Sequence, residues 1–172
     1  YQRALSVLET ALGGDGPAVA EILVSLGNLH LQQFRDEEAE PLFRRALDIQ
    51  RQALGEDHPD VATALSSLAA VSRSQKRHSE AEQLYRQALE ITERTLGPEH
   101  RDVSESLSNL ASLYVATGRG TQAEPLQKRA LAIREKVLGP EHPDVASALA
   151  GLAQNYLGQA RYAEAETLYK RS

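Results

Sequence analysis

The chain has 172 residues, 41% of them apolar and 25% charged, a balance that can bury a core and marks no stretch as disordered. Its formal net charge of −5, with an isoelectric point near 5.6 and no stripe of Lys and Arg, argues against a nucleic-acid surface. Cysteine is absent, which removes disulfides, thiolate nucleophiles, Cys-ligated zinc and iron–sulfur clusters. No apolar run approaches the roughly 18–20 residues of a membrane span and no signal peptide opens the chain, so a cytoplasmic protein without membrane contact is expected. Methionine is absent even at position 1, so the chain is expected to be an excised piece of a longer one or a processed product, and Tyr1 within a helical pattern favours excision.

Residues 1–13 place Tyr1, Ala4, Leu5, Leu8 and Leu12 on one helical face before Gly13-Gly14, as the second helix of a truncated hairpin would. From Pro17 a helix is predicted to about Gln33, with Val19, Ile22, Leu23, Leu26, Gly27 and His30 inward. After a turn at Phe34-Arg35-Asp36, a helix from about Glu37 to Leu54 turns Ala39, Leu42, Phe43, Ala46, Leu47, Ile49 and Leu54 inward, and Gly55 takes positive φ cheaply. That hairpin, 17–55, is repeat 1. Repeat 2, 59–97, pairs a helix from Pro59 to Ser74 with one from Ser79 to Leu96, opened by Ser79 and Glu82 as a capping box. Repeat 3, 101–139, pairs Asp102–Thr117 with a helix capped by Thr121 and Glu124 that runs to Leu138. Repeat 4, 143–172, carries Val145, Leu149, Leu152, Ala153 and Tyr156, then Ala165, Leu168 and Tyr169, and stops at Ser172. Pro41 and Pro125 are expected in the first turns of their helices, where a missing N–H costs little. Connections of about four residues make consecutive helices antiparallel neighbours.

The repetition is explicit in Leu54-Gly55-Glu56-Asp57-His58-Pro59-Asp60-Val61, which returns from Leu96 and from Leu138, each 42 positions on, with a degraded copy from Leu12. Each unit also repeats a pattern of a large residue, Leu, a small residue and an aromatic, then Ala, an aromatic and Ala. Repeat 3 reads Leu107, Leu110, Ala111, Tyr114, Ala123, Gln127, Ala130; repeat 2 reads Leu65, Leu68, Ala69, Ser72, Ala81, Tyr85, Ala88. Repeat 1 has Gly27, His30 and Phe43 at the variable places, and repeat 4 has Tyr156 and Tyr169. This resembles the tetratricopeptide repeat, and the length of 42 residues in place of the usual 34 or so, with Leu-Gly-x-x-His-Pro-x-Val, resembles its kinesin light chain type. The resemblance implies an all-α fold over 1–172, a right-handed α-solenoid of antiparallel helix hairpins with a concave side lined by first helices.

Chemistry finds little purchase. His58, His100 and His142 lie one repeat apart, so a helix spacing of about 8–10 Å separates them, too far to share one ion. They are expected at helix starts, with Asp60, Asp102 and Asp144 facing the positive helix end. No Gly-x-Ser-x-Gly elbow or phosphate loop occurs, and Gly118-Arg119-Gly120-Thr121 is read as a turn. Neither catalytic residues nor metal ligands nor a cofactor is predicted, and the chain is not expected to be an enzyme.

The family pattern places Glu21, Ser25, Asn28, Ser67, Ala70, Arg73, Glu105, Ser108, Asn109, Ser112 and Gln154 on a peptide-binding groove. The expected function is a protein–protein interaction scaffold that binds a peptide segment or partner domain there. The alternative is a sensor or oligomerisation arm of a larger regulatory protein of the signalling ATPase type, packed on its own chain. Arg73, Lys76, Arg77 and His78 form one basic patch, and Ser72 stands where an aromatic is expected, which makes repeat 2 the expected weak link of the stack. The cut ends, Tyr1, Leu5 and Leu8 at one and Leu168 and Tyr169 at the other, suggest end-to-end self-association.

Overall fold

The computed structural model describes residues 16–172, which hold eight α-helices and no strand. These are α1 (Pro17–Gln32), α2 (Asp36–Leu54), α3 (Pro59–Ser74), α4 (His78–Leu96), α5 (Arg101–Ala116), α6 (Gly120–Leu138), α7 (Pro143–Gly158) and α8 (Tyr162–Arg171). The helix expected over residues 1–13, and with it one of the two ends expected to self-associate, lies outside the described residues. The chain divides into two compact units, the first ending at Ile91 and the second running from Thr92 to Ser172.

Two kinds of turn alternate, and both follow from residues that recur every 42 positions. Between hairpins, Gly55, Gly97 and Gly139 take φ of 85–88°, where a Cβ would be strained. His58, His100 and His142 then cap α3, α5 and α7, each Nδ1 accepting from the backbone N–H of Asp60, Asp102 or Asp144 at 3.1–3.2 Å. The expected role of these histidines in starting helices is met.

Within each hairpin, Phe34, Lys76, Gly118 and Ala160 occupy the left-handed region. The N–H of the following Arg35, Arg77, Arg119 or Arg161 reaches back to the carbonyl of His30, Ser72, Tyr114 or Tyr156 at 2.7–3.0 Å, closing the preceding helix. This reversal also sets where the next helix begins, and it corrects the expected capping boxes. Helix α4 starts at His78 and α6 at Gly120, so Ser79 and Thr121 lie inside their first turns; the cap of α6 is Arg119, with no side-chain bond. Pro41 and Pro125 are accordingly the sixth residues of α2 and α6, one turn deeper than expected, and both face solvent. There the missing hydrogen bond falls on the exposed side.

In unit 1, Val19, Ala20 and Leu23 of α1 bury against Ala46 and Ile49 of α2, while Ala39, Phe43 and Leu47 of α2 join Val61, Leu65 and Leu68 of α3 and Ala88 and Ile91 of α4. In unit 2, α5 packs along α6, and Leu131 of α6 joins Val145, Leu149, Leu152, Ala153 and Tyr156 of α7 and Ala165 of α8. The small residues expected at helix crossings, Ala69, Ala81, Ala88, Ala111, Ala123, Ala130 and Ala153, are all buried.

Candidate functional site

Each pair of first helices buries one face and leaves the other open. On α1 and α3, which pack directly, Glu21 and Asn28 are exposed, and Ser25, Ser67, Ala70 and Arg73 are half-buried. On α5 and α7, Glu105, Ser112 and Gln154 are exposed, and Ser108 and Asn109 are half-buried. None of the residues assigned to the groove is buried, whereas Leu23, Leu65, Leu107 and Leu149 on the other side of the same helices are sealed. Small side chains whose polarity is already absorbed by the helix line this face: Ser67 Oγ donates to the carbonyl of Thr63 at 3.1 Å and Ser108 Oγ to that of Ser104 at 2.8 Å. Gln154 is steadied by the Tyr169 hydroxyl at 3.3 Å.

The expected basic patch does not stand free. Arg77 closes ion pairs with Glu40 at 2.9 Å and Glu80 at 3.0 Å, and Arg44 adds a second contact to Glu40 at 2.7 Å. Burial pushes the Glu40 carboxyl upward, but the bonds from Arg44 and Arg77 outweigh it and hold the group below the usual range. Among the described residues, no group of three or more His, Asp or Glu side chains is gathered as a metal would need. No described helix is long and apolar enough to cross a membrane.

Unit 2 adds residues that the reading of the sequence missed. A cavity of about 320 Å3 between α5 and α7 is lined by Arg101, Ser104, Glu105, Arg134, Asp144 and Ser147. Arg101 at the start of α5 bridges to Asp144 at the start of α7 at 3.0 Å. Arg134 reaches in from α6, its Nε donating to Ser104 Oγ at 3.2 Å and its Nη2 to Ser108 Oγ at 2.9 Å. The signal was present in the repeat register. Arg134 stands where repeats 1 and 2 have the buried Gln50 and Thr92, and Ser104 stands where the other repeats have Ala20, Ala62 and Ala146. One repeat thus departs at two facing places together.

The tetratricopeptide repeat family pattern matches residues 1–52, 33–94, 60–119 and 102–172, which together cover the chain. Among solved structures, BtubC (BKLC) from P. vanneervenii is 25% identical, with a TM-score of 0.86 over 99% of this chain and 70% of that one. The putative kinesin light chain repeats of Podosopora anserina are 25% identical, with a TM-score of 0.79 over 99% of this chain and 81% of that one. A Rap protein complexed with competence and sporulation factor is 19% identical, with a TM-score of 0.79 over 90% of this chain and 42% of that one, a likeness of fold. Among curated proteins, none matches this chain in sequence. With eight described helices in 42-residue hairpins and a family pattern that spans every repeat, this chain is an α-solenoid of helical hairpins and belongs to the tetratricopeptide repeat family, in its kinesin light chain type.

Proposed function

We propose that the chain is a non-catalytic interaction scaffold that binds a peptide segment of a protein partner on the open face of its first helices, with the α5–α7 face of unit 2 as a principal seat. The observation that carries this is the two-sidedness of those helices: Leu107 and Leu149 are sealed, while Glu105, Ser108, Asn109, Ser112 and Gln154 on the same helices stay accessible. Small neutral side chains let an extended backbone approach closely, and Asn109 and Gln154 offer the amide donors and acceptors that such a backbone uses. The structural likeness to a Rap protein complexed with competence and sporulation factor supports an interaction scaffold of this fold.

The test is to pan a displayed peptide library against the chain and map the selected peptides by amide chemical shifts. Shifts clustered at Asn109, Ser112 and Gln154, weakened by Asn109→Ala, are the expected result. Selected peptides that shift only the outer faces of α6 and α8 would place binding elsewhere and overturn the groove.

A further inference from the structure

The cavity between α5 and α7 holds two charges of opposite sign that no described side chain neutralises. Arg134 has five N–H donors; Ser104 and Ser108 take the Nε–H and one on Nη2, and both hydroxyls give their own protons to backbone carbonyls of α5. The serines therefore act on Arg134 as fixed acceptors that aim the guanidinium without cancelling its charge. Among the described residues no carboxylate forms an ion pair with Arg134, and no cation forms one with Glu105. The other charges lining the cavity, Arg101 and Asp144, already satisfy each other at 3.0 Å.

We infer that this cavity is a subsite for a dipolar segment of the ligand, its carboxylate held by Arg134 and a neighbouring cationic group on the same molecule held by Glu105. This rests on the groove reading above, for which it names the chemistry of one stretch of the partner. A carboxylate matches the open edge of a guanidinium in two parallel bonds. A phosphate dianion or a run of acidic residues fits worse, because the unpaired Glu105 lines the same space and repels a second negative charge. A purely cationic segment would meet Arg134. At about 320 Å3 the cavity takes a pair of side chains or a free amino-acid-sized zwitterion.

Four probes separate these sources: acetyl-Asp-Ala-Lys-amide, its Asp-to-Asn and Lys-to-Gln counterparts, and free 6-aminohexanoate, each titrated into the whole chain while the amides of Ser104, Ser108 and Ser147 are followed by NMR. The dipolar tripeptide is expected to bind about three- to fivefold more tightly than either singly charged one, as the one partly exposed ion pair by which they differ allows. Arg134→Gln should erase the preference for Asp and leave that for Lys; Glu105→Gln should do the reverse; Arg134→Lys should keep part of the Asp preference. Probes that bind alike, fail to shift these amides, or ignore both substitutions would overturn the inference. If library peptides still bind the groove in that event, the proposed function stands alone. Discrimination among the tripeptides with no library ligand would keep the subsite and remove the longer groove, and 6-aminohexanoate binding as well as the tripeptide would assign the subsite to a free zwitterion.

Discussion

The two units carry the same helix plan and hold it together differently at the second-helix aromatic position. In repeat 1 of unit 1 that position is Phe43, fully buried, and it lies so close to α1 that a Cβ on Gly27 would come within 2.7 Å of its ring. In repeat 3 of unit 2 it is Gln127, whose Nε2 donates to the Gly151 carbonyl at 3.2 Å and whose Oε1 accepts from Asn155 Nδ2 at 2.7 Å. Asn155 is buried where other first helices carry Val71 or Leu113, and it also donates to the Gly120 carbonyl at 2.9 Å. Repeat 1 fills the slot with a ring and repeat 3 with a satisfied polar network. The repeat frame tolerates both because it specifies volume and pairing at that place, and leaves chemistry open.

Truncation should break the two arrangements by unequal amounts. Phe43→Ala leaves a ring-sized hole and is expected to destabilise unit 1 by about 3–5 kcal/mol. Gln127→Ala leaves an amide of Asn155 without one partner and should cost unit 2 about 1–3 kcal/mol. Hydrogen exchange resolved by helix measures each unit separately; equal losses would show that Gln127 packs like a ring and that the polar bonds add nothing.

The glycines sharpen the same contrast. Gly27→Ala pushes a methyl into the Phe43 ring at 2.7 Å, and Gly120→Ala pushes one to 2.4 Å from Asn155 Oδ1. Each is expected to cost about 1–3 kcal/mol in urea unfolding. Pairing Gly27→Ala with Phe43→Leu should return most of its loss, whereas no substitution at Phe43 should relieve Gly120→Ala.

A second difference lies at the turn inside each hairpin. The Arg161 guanidinium stacks on Tyr156 at 3.9 Å, and the Tyr156 hydroxyl donates to Glu124 at 2.9 Å. In repeat 2 of unit 1 the matching residue is Ser72, buried to 1% exposure with its Oγ unpartnered, and Nε of Arg77 and Nδ1 of His78 are unpartnered as well. The weak link expected from the sequence would rest on these unpartnered atoms, and hydrogen exchange of repeat 2 against repeat 3 tests it. Ser72→Tyr should stack on Arg77 and raise protection of the α3–α4 turn by about 0.5–1.5 kcal/mol. Lower protection would mean that neighbouring side chains have closed over the site.

Helices, turns and the packed face were legible because Leu, Gly, His and Ala recur at one period, and each has a single backbone reason to be where it is. The caps were misplaced because Ser79 and Thr121, each followed three residues later by Glu, satisfy a local pattern. The left-handed Lys76 and Gly118 override it by starting the helices earlier. That the residues assigned to the groove share an accessible face was readable, since accessibility follows from helical phase. Arg134 was not, because it reaches the α5–α7 cavity from a second helix whose inward side reads as packing; only its mismatch with Gln50 and Thr92 marks it.

The smallest effect concerns protons. Hydrogen bonds from Arg161, then Lys128, with a lesser one from the Tyr156 hydroxyl, hold the Glu124 carboxyl down to about 2. A carboxyl depressed in the folded state stabilises it above the unfolded value near 4.5, and that contribution is lost as pH falls from there toward 2. Unit 2 should therefore lose stability across that window, and Glu124→Gln should flatten the loss while costing less than about 1 kcal/mol at neutral pH, since the pairs are near the surface. The Glu40 carboxyl in unit 1 is also lowered, but against the opposing push of its burial and without a tyrosine hydroxyl. Unit 1 should consequently show the shallower acid response when both are followed by hydrogen exchange between pH 5 and 2. A steeper response in unit 1 would mean that Tyr156 contributes through stacking alone and that its hydroxyl does not help keep Glu124 ionised.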